Sequence, residues 1–149
     1  MPPSLTDLWD ILTTISHFTS SVKNGPNSKT GWTGTTTGTV KPRIAENLIV
    51  FIEHGTLTTT EGKSLATSNH WQWSRSPEGI QFYHRRRDAP VLLAELNEPA
   101  SDGSFHSQSP HLCGADVYTL RLDINADSLH LKWRITGPKK DEVISTLYT

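Results

Sequence analysis

Residues 128–136 read Ser-Leu-His-Leu-Lys-Trp-Arg-Ile-Thr, so that apolar and polar side chains alternate without a break. Successive side chains of a β-strand point to opposite faces, and this segment therefore predicts a strand with one apolar and one polar face. The apolar face consists of Leu129, Leu131, Trp133 and Ile135. We expect this face to point inward, which makes Trp133 a residue of the core or of a pocket wall.

The same kind of pattern recurs on both sides of this segment. Further strands are predicted at residues 35–41, 47–53, 56–60, 64–74, 80–85, 91–96, 111–122 and 142–148. The segment 56–60 either continues the strand before it or returns beside it. Short connections favour pairing between consecutive strands. About eight or nine consecutive antiparallel strands predict an all-β fold, a closed up-and-down barrel, and a barrel of this size can hold one small ligand.

One N-terminal helix is predicted within residues 1–20. Its apolar stripe at positions i, i+3, i+4 and i+7 is formed by Leu8, Ile11, Leu12 and Ile15. Ser4 or Thr6 can cap this helix, and we expect it to end near His17. A different pattern follows, because residues 24–38 contain several glycines and a proline, which predict a long flexible loop. Trp32 in this loop either packs on the body of the protein or covers the mouth of a pocket.

Composition limits the class of protein. The 149 residues carry a formal net charge of −1, which fits one domain over residues 1–149 and shows none of the basic excess typical of nucleic-acid binding. The longest apolar run, Leu48–Ile52, is far too short for a membrane span, and the N-terminus lacks the pattern of a secretory signal. Because Cys113 is the single cysteine, no internal disulfide can form, and a reducing cytoplasm is the expected location.

The densest group of chemically active residues is His111, Cys113, Asp116 and Tyr118. His111 and Cys113 are two residues apart and therefore share a strand face, as do Asp116 and Tyr118. The three-residue step between Cys113 and Asp116, however, reverses the face. A β-bulge at residues 114–115 would restore it and point all four side chains into the barrel. They would then form a proton-transfer set of imidazole, carboxylate and phenol, beside a thiol in contact with the ligand. Alternatively, His111 caps the barrel rim and Tyr118 belongs to the core.

A second candidate for proton transfer is Glu53, which shares a strand face with Phe51. A buried carboxyl group has a raised pKa and can serve as a general acid or base. The opposite face is equally apolar, with Val50 and Ile52 before His54. The periodicity therefore leaves open which of the two faces is inside.

Aromatic and basic residues are predicted around the ligand. Trp71 and Trp73 share a face and suit either a pocket wall or an ordinary core, and Phe51 and Phe82 are candidates for the same wall. The only basic cluster is residues 83–88, which place His84 on the face of Phe82 and Arg85 on the other. Its three arginines either bind a carboxylate or phosphate or keep a strand edge charged. After Trp133, a turn places Lys140 or Asp141 at the barrel rim or simply in solvent.

These elements together resemble a known family. The segments that carry the resemblance are Phe51-Ile-Glu-His-Gly55, His70-Trp-Gln-Trp73, Gly79-Ile-Gln-Phe-Tyr-His84, His111-x-Cys-x-x-Asp-x-Tyr118, Trp133-x-x-x-Gly-Pro-x-Lys-Asp141 and Thr146-Leu-Tyr148. They are similar to small single-domain proteins of fungi and bacteria, a domain of unknown function expected to form lipocalin-like barrels. The similarity spans roughly residues 35–149. It implies a lipocalin-like barrel and draws attention to Glu53, His84, His111, Cys113, Asp116, Tyr118, Trp133, Lys140 and Asp141, but it implies no reaction.

We expect a cofactor-independent enzyme of the cyclase or isomerase type that acts on a hydrophobic small molecule, such as a natural-product intermediate. His111 or His84 would move the proton, Asp116 or Glu53 would orient or share it, and Tyr118 would donate to a developing oxyanion. The two alternatives are a carrier without chemistry and a structural barrel filled by its own aromatic side chains. The histidines are scattered and the cysteine is single, so neither a metal nor another cofactor is expected. The oligomeric state stays open, and a homodimer is one possibility.

Overall fold

The computed structural model describes residues 3–29 and 33–149, and the predicted role of Trp32 therefore lies outside the described residues. The described part forms one helix and eleven strands. They are α1 (Leu5–Leu12), β1 (His17–Asn24), β2 (Gly34–Ala45), β3 (Leu48–Thr59), β4 (Ser64–Ser76), β5 (Gly79–Arg85), β6 (Pro90–Leu96), β7 (Phe105–His106), β8 (His111–Cys113), β9 (Asp116–Asn125), β10 (Ser128–Thr136) and β11 (Asp141–Tyr148).

The strands form one antiparallel sheet that curls into a nearly closed barrel of about ten strands. Their order is β6-β5-β4-β3-β2-β1-β11-β10-β9-β7, and β8 pairs with β9 beside this path. Between the two ends of the sheet, Leu96 forms a β-bridge with Ser107, and the Gln108 N–H donates to the Glu95 carbonyl at 3.0 Å. The predicted up-and-down barrel is thus confirmed, with slightly more strands than the eight or nine expected.

The predicted extent of the N-terminal helix is wrong. Ser4 caps α1 by accepting from the Asp7 N–H, and the helix already ends at Leu12. Residues 17–24, assigned in part to a helix over 1–20, form β1, which pairs with both β2 and β11. The hydrogen bonds that β1 forms with its two neighbouring strands outweigh a weak local preference of this segment for another conformation. The predicted loop over 24–38 is likewise shorter, because β2 begins at Gly34.

Two further local predictions change in the structure. Residues 47–53 and 56–60 belong to one continuous strand, β3, whose Gly55 lies opposite Gly38 of β2. A Cβ atom on Gly38 would approach the His54 carbonyl oxygen to 2.1 Å, so the two strands need glycine to pass this close. The predicted strand 111–122 is interrupted at residues 114–115. These residues form the turn of the β8–β9 hairpin, not a bulge.

Helix α1 covers one end of the barrel. Its Leu8 and Leu12 are fully buried in the same apolar cluster as Trp73 and Leu129 of the strands. The guanidinium group of Arg75 in β4 lies 4.7 Å from the centre of the Trp9 ring, a cation–π contact. The core therefore fills the helix end of the barrel and leaves the opposite end for a cavity. No helix in the described ranges is long and apolar enough to cross a membrane.

Candidate ligand cavity

The barrel interior contains a cavity in two adjoining compartments. The first, here called the Glu53 compartment, has a volume of about 260 Å³ and is lined by Glu53, Asn69 and Tyr148 among others. The second, the His111 compartment, has a volume of about 180 Å³. Trp71, Trp133 and Ile144 line both compartments, which therefore lie next to each other. Together they reach the lower part of the range of ~300–1,000 Å³ that is typical of sites for small molecules.

Glu53 points into the barrel and meets Tyr148. The alternation along β3 buries Ile49, Phe51 and Glu53. The periodicity of the sequence left open which face of this strand is inside, and the structure shows that it is the face of Glu53. Glu53 is only 4% exposed. The Tyr148 hydroxyl donates a hydrogen bond of 2.5 Å to Oε2 of this carboxyl group. Two groups 95 positions apart in sequence thus form one buried pair.

Burial dominates the electrostatics of this pair. Removal from water raises the pKa of Glu53 to about 7, although the hydrogen bond from Tyr148 opposes the shift. The indole N–H of Trp71 also favours the charged carboxylate, but its position falls short of a hydrogen bond and leaves it buried without a partner. Burial and the neighbouring carboxylate raise the pKa of Tyr148 well above 10.0. Glu53 is therefore the group that can exchange a proton near neutral pH.

The rest of the Glu53 compartment combines apolar walls with a few hydroxyl and amide groups. Asn69 on β4 lies directly opposite Glu53 in the strand register and lines the cavity. The hydroxyls of Ser20 and Thr146 lie 3.0 Å apart across the β1–β11 pair. A site of this kind holds an apolar body and fixes its orientation through a small number of polar contacts.

The hairpin of β8 and β9 brings together the predicted group around His111. His111 lies opposite Tyr118 and Cys113 opposite Asp116, so all four residues share a face, as predicted, but through a tight turn at Gly114, whose φ is +61°. The rings of His111 and Tyr118 are 5.7 Å apart. His111, Cys113 and Tyr118 line the second compartment.

Asp116, in contrast, faces a lysine and lines neither compartment. Nζ of Lys140 lies 3.3 Å from Oδ2 of Asp116 and 3.3 Å from the hydroxyl oxygen of Tyr118, to which it donates. Both contacts raise the pKa of Lys140, the one with Tyr118 more strongly. The predicted His111–Asp116 pair therefore does not form, because the β10–β11 turn supplies a cation that takes the carboxylate. Lys140 reaches the cavity only through Tyr118.

The predicted aromatic wall is divided between cavity and core. The Trp71 ring lies 4.5 Å from His84 and 5.4 Å from Phe82, and Phe82 lies 6.3 Å from Trp133. Trp71, Phe82 and Trp133 line the cavity. Trp73 and Phe51 do not, since they are fully buried against each other in the cluster that includes α1.

In the basic cluster, the arginine at the cavity is Arg86 and not Arg85. A register shift between Phe82 and Tyr83 lies within β5, and both Phe82 and His84 line the cavity. Arg85 and Arg86 are both exposed, but of the two it is Arg86, just beyond the strand, that lines the His111 compartment. Partial burial lowers the pKa of His84, and the charge of Arg86 lowers it further.

Asp141 has a structural position away from both compartments. It is buried, forms an ion pair with Arg134 and accepts a hydrogen bond of 3.2 Å from the Asn27 N–H. The bond to Asn27 lowers the pKa of Asp141 the most, and Arg134 adds to this effect. This residue therefore ties the segment after β1 to the β10–β11 turn, and it lines neither compartment.

Among the cavity residues that sequence reasoning did not select are Tyr148 and Asn69, and Arg86 was included only as a member of the basic cluster. Tyr148 ends a strand whose two faces are equally mixed, with Ile144 and Thr146 on its own face and Val143, Ser145 and Leu147 on the other, so neither its inward direction nor its contact with Glu53 could be read from the sequence. Asn69 shares a strand face with Trp71, which is a usable signal. Among the described residues, no group of three or more His, Cys, Asp or Glu side chains could hold a metal ion.

No curated protein and no solved structure matches the chain. A family model does match it, over residues 8–149, which includes every strand and most of the helix. The chain therefore belongs to this family, which is described as a family of unknown function, DUF6314.

Proposed function

We propose that the barrel binds a small, mainly apolar carbonyl compound and isomerises it by moving a proton, without a cofactor. The observation that carries this proposal is the position of Glu53. It is a buried carboxyl group on the wall of an aromatic cavity, with a pKa of about 7. A general base is most effective when its pKa lies near the working pH. The single free cysteine favours a reducing compartment such as the cytoplasm.

The proposed reaction conserves all atoms of the substrate. The Glu53 carboxylate removes a proton from the carbon between a carbonyl group and a C=C bond, and the C–H electron pair forms a dienolate. The same carboxyl group then returns the proton to the far carbon of this system, so that the double bond moves into conjugation with the carbonyl. Glu53 ends in its original state, and the step needs no oxidant, reductant or second substrate.

The charge that develops on the carbonyl oxygen requires a hydrogen-bond donor. The indole N–H of Trp71 is buried without a partner and lines the same compartment as Glu53. The amide of Asn69, opposite Glu53, offers a second donor. Donors that are already in place stabilise a developing oxyanion without further reorganisation. In this proposal they take the role that the sequence suggested for Tyr118.

Tyr148 is a positioning residue in this mechanism. Its hydroxyl holds one carboxyl oxygen of Glu53 at 2.5 Å, and its raised pKa keeps it protonated in the working range of pH. One oxygen of Glu53 is thus fixed by Tyr148. The other oxygen serves as the base.

Deuterium exchange tests the proposal with model compounds in place of the natural substrate. A panel of hydrophobic β,γ-unsaturated ketones is screened by tryptophan fluorescence, and each compound that binds is incubated with the protein in D₂O. We expect deuterium uptake and migration of the double bond, detected by NMR. Glu53→Gln should still bind these compounds but lose both reactions, whereas Glu61→Gln, on the exposed β3–β4 turn, should keep them.

A carrier is the second candidate, and one observation favours it. The residues expected to transfer protons are split between the two compartments, and Asp116 is held by Lys140. A carrier would bind members of the panel without any exchange above the rate in buffer. Equal exchange by wild type and Glu53→Gln would instead exclude Glu53 as the base. If no member binds, the proposed isomerase is wrong for this class of compound.

A further inference from the structure

We propose that the molecule bound in the cavity carries a carboxylate, which Arg86 holds in the His111 compartment while the apolar body extends to Glu53. This inference rests on the proposed function and names its substrate class. The isomerised compound would be an unsaturated oxo acid, with the carboxylate and the reacting carbons at opposite ends.

The charges around the His111 compartment favour an anion. Arg86 lines it, and no ion pair involves Arg86 among residues 3–29 and 33–149. An arginine side chain keeps its charge at all physiological pH values and presents donors that match a carboxylate. Within the described part of the chain, no Asp or Glu side chain lines this compartment, and Asp116 of the β8–β9 hairpin is paired with Lys140. Arg86 is exposed, and it lines the cavity without a counter-ion from the described part of the chain.

Two further donors next to Arg86 complete a site for a carboxylate. Tyr118 accepts a hydrogen bond from Lys140, which leaves its own hydroxyl proton free to donate. His111 packs against the Tyr118 ring, and its ring N–H offers another donor on the same face of the hairpin. Both side chains line the compartment together with Arg86. An anion here would receive one charged and two further hydrogen bonds.

The two compartments together determine the orientation of the ligand. Trp71, Trp133 and Ile144 line both, so a ligand that fills both compartments would lie along these three apolar side chains. The reverse orientation would bring the ligand carboxylate to Glu53, where two like charges would share a buried site. A carboxylate at Arg86 avoids this repulsion, and the far end of the molecule then lies beside Glu53, Asn69 and the Trp71 N–H.

Matched pairs of acids and alcohols test the carboxylate directly. We would titrate the protein with a homologous series from phenylacetate to 6-phenylhexanoate, and with the corresponding primary alcohols, following tryptophan fluorescence. At least one acid should bind more tightly than its alcohol. Arg86→Gln should weaken binding of that acid about ten- to hundredfold, the usual effect of losing a charged hydrogen bond, and should leave the alcohol unchanged. Arg85→Gln removes the neighbouring, exposed charge and serves as the matched control.

Each other outcome rejects a defined part of the argument. Equal affinity for acids and alcohols, unchanged in Arg86→Gln, would overturn the carboxylate inference while leaving the isomerase proposal to the exchange experiment. Equal losses in Arg86→Gln and Arg85→Gln would show a general charge effect and no site at Arg86. A third outcome is that an acid binds more tightly than its alcohol and depends on Arg86, but no ligand exchanges hydrogen for deuterium in D₂O. This result would reject the isomerase and leave a carrier of organic acids.

Discussion

At the scale of single residues, the buried Glu53 lowers the stability of the folded protein as pH rises. Its pKa is about 7 in the folded state against an ordinary value of 4.5. Below the ordinary value the group is protonated in both states and has no effect. As pH rises through this window, the unfolded chain releases the proton while the folded chain keeps it, which favours unfolding. The full cost, reached above the folded pKa, is about 3 kcal/mol.

Glu53→Gln should remove this pH dependence, because glutamine cannot ionise. The free energy of unfolding of the variant, relative to wild type, should rise by about 3 kcal/mol between about pH 4.5 and about pH 8. Urea unfolding at a series of pH values measures it. Glu61→Gln, an exposed change, should follow the wild-type profile. If the free energy of unfolding of Glu53→Gln instead changes with pH in the same way as that of wild type, burial does not raise the pKa of Glu53 in solution.

Tyr148→Phe tests the hydrogen bond to Glu53. The bond lowers the pKa of Glu53, so its loss should raise that pKa further. The bond is stronger when the carboxyl group is charged, and the variant should therefore lose more stability above the Glu53 pKa, about 1.5–3 kcal/mol, than below it. Carbon-13 NMR of the glutamate carboxyl groups follows the titration directly. An unchanged Glu53 titration would mean that the two side chains do not meet.

At the scale of elements, the β8–β9 hairpin depends on one glycine. Gly114 has a φ of +61° with open space where a Cβ would lie, so its requirement is conformational and not steric. Gly114→Ala should cost about 1 kcal/mol, and Gly114→Asn clearly less, because asparagine adopts this conformation more readily. Urea unfolding of both variants gives the comparison. Equal costs for alanine and asparagine would point to a lost contact in place of backbone strain.

The same hairpin shows how far the sequence determines the elements. Alternation identified β3, β4, β5, β6, β10 and β11 to within a few residues, because each buries one face. Alternation also put His111 and Tyr118 on one face of the sheet. A bulge at residues 114–115 and a two-residue turn at the same place would both give this result, and the sequence alone does not distinguish the two.

β1 was missed for another reason. Phe18 is its one fully buried position, so hydrogen bonds to two neighbours define this strand more than its apolar pattern does.

The candidate site was less predictable than the elements for a physical reason. Glu53, Trp71 and Trp133 point into the cavity, a direction that local alternation makes accessible from the sequence. The partners of charged groups come from remote strands, as with Tyr148 beside Glu53 and Lys140 beside Asp116. One residue more or less before a turn also decides which arginine reaches the cavity, and here it is Arg86 in place of Arg85. Strand register sets these pairings, and a change of one residue in a turn or bulge alters it, so it cannot be read from local alternation alone.

At the scale of the whole molecule, the first and last strands pair in a seam that joins the two halves of the sheet. β1 pairs with β11 along seven positions, from Phe18 opposite Tyr148 to Asn24 opposite Glu142. Ser20 and Thr146 in this seam are 126 positions apart in sequence. The β2–β3–β4 meander, in contrast, is joined by short turns. The entropy lost on closing a loop grows with its length, so the meander can pair early, whereas the seam must wait for the rest of the chain.

This order predicts opposite kinetic effects for two core substitutions. Ile49→Val in β3 and Phe18→Leu in β1 both shrink buried side chains, and Ile49→Val should cost about 0.5–1.5 kcal/mol. If the meander is formed in the transition state and the seam is not, Ile49→Val mainly slows folding and Phe18→Leu mainly speeds unfolding. Stopped-flow chevron plots of both variants measure the two rates. A Phe18→Leu variant that slows folding as strongly as Ile49→Val would mean that the seam closes before or at the transition state, and that the barrel forms as one unit.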